Sequence, residues 1–476
     1  MAKAKGSAKN AKAEASKSVS VWEDDPGTGI LVSRPIPDLS KKPLAFGFPE
    51  PAPKPGVYPP GAADFRYWTA AEALRRGADF WSVRVPLTKW QVGATLKVIL
   101  DEGDDLNAYY DREALNFFHS PSRTGTVYSG ESPDVVCHEM GHAVLDSFKP
   151  ELWDVGSQEV AAFHESFADI SAILSAIQLP SLRISILHDT GGRLYRNSRL
   201  SRLAEQIGAA IRAQRPDAVD ADCLRNAVNS FGYQDPSTLP NSAPAAQLSS
   251  EPHSFSRVFT GAFFESLGTA LSAKAQDPTM PTEAELLSVA SDLAGILISA
   301  IKASPVVSNW YAQVAANMVI AAGPVDARYP PIIKAIYVRR LILSLHSAAS
   351  IASVPTARAA GPAAAAAQEE LAETALPAVD YGINGVLFVR TPSQKDHFVA
   401  LSAAGDLSPV QPLSAATAAQ MFVDDLFSRG RVDYDDVVLP EARLDHGRKL
   451  KSHRLVTTPG GARLERLLFD CDCGCQ

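Results

Sequence analysis

Between Phe80 and Phe118 the chain carries short β-branched and aromatic runs, WSVRVPL, ATLKVIL, LNAYY and LNFF, separated by Gly, Asp and Asn. Apolar runs divided by turn formers predict a sheet with tight connections. The pattern then becomes helical. Ser132-Pro133-Asp134 supplies a cap, a first-turn proline and an acid at the positive end of the helix dipole, so a helix is expected over Val135 to Phe148, stopped by Pro150. A second helix is expected from near Ser157, with Gln158 and Glu159 in its first turn, to about Ile177 ahead of Pro180. Further helical segments fall at about 199–214, 255–273, 282–303 and 306–322.

Punctuation between these segments suggests five stretches. Residues 1–61 read as a solvated tail and a Pro-rich lead-in, with globular structure from about Ala62. A sheet subdomain with the two capped helices occupies 62–178, and a mostly helical subdomain occupies 179–345. An Ala/Pro-rich linker covers 346–378. A small unit at 379–476 mixes a strand (GVLFVR), a helix (AATAAQMFVDDLF) and a hairpin around Pro459-Gly460-Gly461. The expected class is α+β.

Composition narrows the functions available. With 476 residues, 46% hydrophobic and 21% charged, the chain buries a core without staples. Its net charge of −8 and the absence of a basic stripe outside the Lys/Ala-rich tail argue against a nucleic-acid partner. The longest apolar stretch, around Ala294 to Ile301, is shorter than the roughly 18–20 residues that cross a bilayer, so no membrane span is expected. The first 20 residues lack the apolar core of a secretory signal, so a cytoplasmic location is expected, with non-classical export left open, and the odd count of five cysteines fits a reducing compartment. Cys137 and Cys223 stand alone, while Cys471, Cys473 and Cys475 crowd the end as a soft-metal or redox site or an exposed tail. No feature sets the oligomeric state.

The chemistry concentrates in His138-Glu139-Met140-Gly141-His142. Residues i and i+4 share a helix face, so two imidazoles can meet one ion, with the intervening Glu139 beside the ion's open position. A hydrolytic zinc site takes a third protein ligand, and His164-Glu165-Ser166-Phe167-Ala168-Asp169 offers two candidates. Glu165 is favoured over His164 because Asp169, four residues on, can accept the second N–H of a metal-bound imidazole.

Around these residues the sequence resembles the thermolysin-like zinc metallopeptidases, the gluzincins. Asp134 to Asp146 is similar to the family's D-V-V-x-H-E-x-x-H-A-V-x-D helix, and Glu165 to Asp169 to its E-x-x-S-D segment, with Ala168 where Ser is usual. Asn107-Ala108-Tyr109-Tyr110 is similar to the N-A-[FY]-W edge strand. Leu224-Arg225-Asn226 followed by Tyr233-Gln234-Asp235-Pro236 resembles L-R-S…Y-G-D-P, and His253 stands where the family has its transition-state histidine. The resemblance implies a two-lobed fold and one Zn²⁺ on His138, His142 and Glu165, with Asp169 behind. It also implies Glu139 as general base, His253 on the oxyanion, and Asn107, Ala108 and Arg225 on an extended peptide or protein substrate.

The sequence also departs from that pattern. The acids of the family's calcium site are absent after Glu165, so calcium is not expected; Trp153 lies near the place of the usual oxyanion tyrosine; only Glu251 is near His253 to orient it. The expected activity is zinc-dependent endopeptidase, the alternative a zinc-bearing scaffold or binding protein with a degenerate peptidase fold. The cysteine-rich end adds one expectation, that the tail enters the cleft and places a thiolate, Cys473, on the metal.

Overall fold

The computed structural model of the protein describes residues 18–85, 87–123, 125–351, 370–383, 385–401, 409–434 and 450–471. It is a mixed α+β structure with eleven helices and several small sheets among the described residues.

Folded structure begins earlier than expected. Strands β1 (Ser18–Trp22) and β2 (Leu31–Pro35) form a hairpin, and β3 (Ala45–Gly47) joins the main sheet, all within the stretch assigned to tail and lead-in. Val19 and Val21 are buried in the principal core, so two alternating apolar side chains suffice to pin a segment whose prolines mask its pattern. A second correction follows at Ala63–Ser82, where helix α1 stands and the aromatic residues at 80–81 close it rather than open a strand. Phe65, Leu74 and Trp81 of α1 are fully buried, and this packing overrides the β preference of the aromatics.

Strands β4 (Thr95–Ile99), β5 (Ala108–Tyr110) and β6 (Ala114–Phe117) come from the runs that predicted a sheet. The main sheet has the order β16-β5-β6-β4-β3, where β16 is Phe469–Asp470 near the far end of the chain. A small hairpin, β7 (His119–Ser122) with β8 (Gly125–Tyr128), leads to helix α2 (Pro133–Phe148). Ser132 caps α2 by accepting from Val135 N at 3.4 Å, and its hydroxyl donates to Asp25 at 2.6 Å. Helix α3 (Gln158–Ala176) is buried along its whole length and packs on α2.

The helical region contains α4 (Pro180–Thr190), α5 (Glu205–Arg212), α6 (Pro252–Lys274), α7 (Glu283–Ala303), α8 (Trp310–Ala322), α9 (Tyr329–Arg339) and α10 (Leu345–Ile351). The segment expected to be helical from 199 instead pairs β9 (Arg202–Leu203) with β10 (Arg225–Asn226) before α5 starts. Helix α7 is 21 residues with a mean hydropathy of 1.7 over 18 of them, long and apolar enough by length and composition to cross a membrane. The sequence expectation counted only uninterrupted apolar residues; in the fold Leu286, Leu293 and Ile301 of α7 are core positions.

The last unit starts sooner than its assigned boundary, because β11 (Ala372–Pro377) of the supposed linker pairs with β12 (Val386–Thr391). With β13 (Val432–Asp433), β14 (His453–Thr458) and β15 (Gly461–Arg466) they make a second five-stranded sheet, order β11-β12-β15-β14-β13, covered by α11 (Ala415–Ser428). This unit docks on the connection between α2 and α3: Gly156 N donates to Arg390 O at 2.9 Å, and Arg466 Nε donates to Trp153 O at 2.8 Å.

Helices α2 and α3 approach closely at Gly141 on α2. A Cβ there would lie 2.7 Å from Ala168 Cα and 2.9 Å from Ser171 Cβ, both on α3. Gly141→Ala is therefore expected to lower stability by about 1–3 kcal/mol, since neither neighbour is the end of a flexible side chain. Thermal unfolding measures it, and an unchanged Tm would show that the helices separate without strain.

Candidate metal centre

Helix α2 places His138 and His142 one turn apart with ring centroids 4.9 Å apart, and α3 brings Glu165 up to them. The carboxylate oxygens lie 3.2 Å from His138 Nε2 and 3.6 Å from His142 Nε2. One ligand atom from each of the three residues lies within 4.8 Å of the others, a grouping that could hold a metal ion. His138 is 3% exposed, Glu165 2% and His142 0%.

Buried polar atoms ordinarily find partners. Here His138 Nε2, both nitrogens of His142, Glu165 Oε2 and both oxygens of Glu139 have no hydrogen bond among the described residues. The imidazoles and Glu165 approach one another at 3.2 and 3.6 Å without forming a hydrogen bond, as expected of atoms aimed at a common point. Two neutral imidazoles and a carboxylate are a borderline-soft donor set, which fits zinc and its neighbours in the first transition series and not calcium.

His138 is fixed from behind. Its Nδ1–H donates to Asp169 Oδ1 at 2.9 Å, one helical turn after Glu165, so Nε2 is the free ligand atom. Arg225, on β10, forks the same carboxylate with Nη2 at 2.8 Å and Nε at 3.2 Å. Burial works against the charge on Asp169, yet Arg225 and His138 hold its carboxyl down at about 2. Arg225 thus braces the acid behind the cluster and also lines a cavity with Leu224, Val219 and His253.

Glu139 is 0% exposed, and burial pushes its carboxyl up to about 8. His253, in the first turn of α6, approaches Glu165 Oε2 to 3.2 Å from the other side. Its Nδ1–H donates to Glu251 at 2.7 Å. Glu251 also caps α6 by accepting from Ser254 N at 2.8 Å, so the spacing of two residues is that of an N-cap facing its own first turn. Burial disfavours a charged imidazole there, but Glu165 and Glu251 outweigh it and hold the His253 pKa well above its ordinary value.

His164, the other candidate third ligand, lies outside the grouping. It is fully buried, and burial holds it well below the usual histidine pKa as a neutral ring stacked on Phe469 at 4.0 Å. Asn107 turns back so that its Oδ1 accepts from Ala108 N at 2.9 Å, and Ala108 O accepts from Cys471 N at 2.8 Å. Trp153 packs edge-on against Tyr110 and Phe469. Cys137 and Cys223 are buried free thiols, whereas Cys471 is disulfide-bonded, which departs from the reading of reduced terminal cysteines. Cys473 and Cys475 lie outside the described residues.

Several residues at the site escaped the sequence. Tyr110 and Arg112 both bind Asp146 near the end of α2, at 3.0 and 2.9 Å, and tie the edge strand to the ligand helix. Phe469, Asp470 and Arg431 reach the site from the last unit, and no local pattern marks them. Comparison with known proteins gives no matching family model and no matching curated protein.

Titration of metal-free protein with Zn²⁺ or Co²⁺ is expected to show one strong site per chain that is lost in His142→Ala. Asp169→Asn should keep the site but weaken it by about 10–100-fold, the usual effect of removing the partner of a ligating histidine. Full occupancy in His142→Ala would mean that the ion sits elsewhere.

Proposed function

We propose that the chain is a zinc-dependent endopeptidase with a thermolysin-like arrangement of two lobes about the His138, His142 and Glu165 cluster. The observation that carries this reading is the convergence of three buried ligand atoms beside a buried carboxylate, Glu139, with no partner for either oxygen. An ordinary core does not tolerate that many unpaired polar atoms, each of which costs about 1–3 kcal/mol. Zinc held there would act as a Lewis acid and bring the pKa of a water to about 7.

The remaining work falls to the chain's own groups. Glu139, whose carboxylate is made more basic by burial, takes a proton from the attacking water in its ionised form and delivers it to the departing amine. His253 carries an N–H on both ring nitrogens, because Glu165 and Glu251 favour its charged form; Nδ1–H donates to Glu251, and the Nε2–H meets the carbonyl oxygen as it gains charge. Asp169 and Arg225 keep His138 in one tautomer and one orientation. The edge of β5 pairs with an extended peptide, so main-chain hydrogen bonds set its direction past the cluster.

A second reading, a metal-bearing binding protein, is favoured by one observation: the cluster is sealed, with Glu139 and His142 at 0% exposure. Catalysis separates the two. Glu139→Gln is expected to bind zinc as the natural chain does and to hydrolyse a diverse peptide library about 10²–10⁴-fold more slowly, because the carboxylate moves a proton and does not hold the ion. His253→Ala should lower kcat/KM by about 10²–10³-fold at unchanged zinc content. Absence of hydrolysis over the whole library by both the natural chain and a chain ending at Leu468, with zinc bound, would support the binding protein instead.

A further inference from the structure

What seals the cluster is the chain's own strand β16. Strand β16 adds to the edge of β5, pairing Phe469 with Tyr110 and Asp470 with Tyr109 in antiparallel register, and Cys471 N donates to Ala108 O at 2.8 Å. Without β16, the β5 side of the main sheet would be an open edge, the kind of strand on which an added peptide pairs. The contacts continue into the site. Asp470 O accepts from His253 Nε2 at 2.7 Å, the same N–H assigned above to a substrate carbonyl. The Phe469 ring stacks on His142 with centroids 5.1 Å apart and on His164 at 4.0 Å. The Asp470 carboxylate is held by Arg431, and the Arg466 guanidinium lies 4.0 Å from the centre of the Phe469 ring.

We propose that the edge of β5 is a peptide-binding track whose resident ligand is the chain's own Phe469–Cys471 segment, so that the protein folds closed and another peptide enters only when this strand leaves. The inference rests on the reading of the site as one that takes an extended peptide. The reasons lie in the contacts themselves. A strand two residues long gains little from its sheet hydrogen bonds, yet this one also places a carbonyl on a histidine outside the sheet and a ring against the His142 imidazole. Phe469, Asp470 and Cys471 are 3%, 5% and 3% exposed, so the segment is embedded rather than laid on the surface. Its chemistry also names the class of peptide that would compete for the track: an aromatic residue followed by an acid, the ring against His142 and His164 and the carboxylate at Arg431.

The test compares the zinc-loaded full chain with a chain ending at Leu468 and with full-length Phe469→Ala. Two readouts are taken: hydrolysis of a peptide library, and binding of a fluorescent peptide of sequence Leu467 to Cys471, with Ser in place of the cysteine, measured in the Glu139→Gln background. The shortened chain is expected to hydrolyse at least about ten-fold faster than the full chain and to bind the peptide where the full chain does not, because the competent fraction rises once the strand is gone. Phe469→Ala should fall between them. Binding of the peptide by the shortened chain alone, with no hydrolysis by any protein, would uphold the track and remove the peptidase. Equal hydrolysis and equal peptide binding by the full and shortened chains would overturn the resident ligand and leave the peptidase standing. Should the shortened chain fail to fold, Phe469→Ala decides by itself: rate and peptide binding unchanged from the full chain overturn the proposal.

Discussion

Side chains from two helices reach a common point only if the helix backbones come close, and in this protein that closeness is set at Gly141. The glycine lies one residue before His142 and faces Ala168, one residue before Asp169. Any side chain at 141 larger than hydrogen would push α2 away from α3 and draw His138 and His142 off Glu165 together. The surrounding elements preserve that spacing. Met140 packs into the gap that Gly77 leaves on α1, Trp81 donates to Ser171 on α3 at 2.9 Å, and Asp146 ties α2 to the edge strand through Tyr110 and Arg112.

The dryness created by this packing has a second consequence. His138 Nε2, both His142 nitrogens, both Glu139 oxygens and Glu165 Oε2 are removed from water without gaining hydrogen bonds among the described residues, which concentrates the cost of desolvation at one point. Asp169 with Arg225, and His253 with Glu251, are each internally paired and surround that point without satisfying it. The arrangement makes chemical sense as a receptor for a cation. With β16 in place the same point is also closed to solvent, which unites the first sheet, the helices and the last unit in a single site.

What the sequence revealed follows from how local each signal is. The α2 start was legible because Ser132, Pro133 and Asp134 are consecutive, and the ligand pair because i and i+4 on a helix must share a face. Glu165 with Asp169 was legible for the same reason on α3. Helix α1 was not, since its apolar residues are buried all round and no single face repeats in the sequence. The strands at 18–47 are short and held by distant partners, such as Ser20 N donating to Gly56 O. Glu251 looked badly spaced for orienting His253 because the N-cap geometry that brings an i, i+2 pair together appears only once α6 is seen to begin at Pro252. The part played by Phe469 and Asp470 depends on pairing across more than 350 residues with β5, and periodicity within a segment carries no trace of such a partner.

The central claim, that α2 and α3 together build one metal centre, is tested most directly by crystals of the zinc-loaded chain measured on both sides of the zinc absorption edge. The account predicts a single anomalous peak per chain at about 2.0–2.2 Å from His138 Nε2, His142 Nε2 and a Glu165 carboxylate oxygen. A peak placed elsewhere, for instance on the terminal cysteines, or full zinc content with no peak between the two helices, would contradict it.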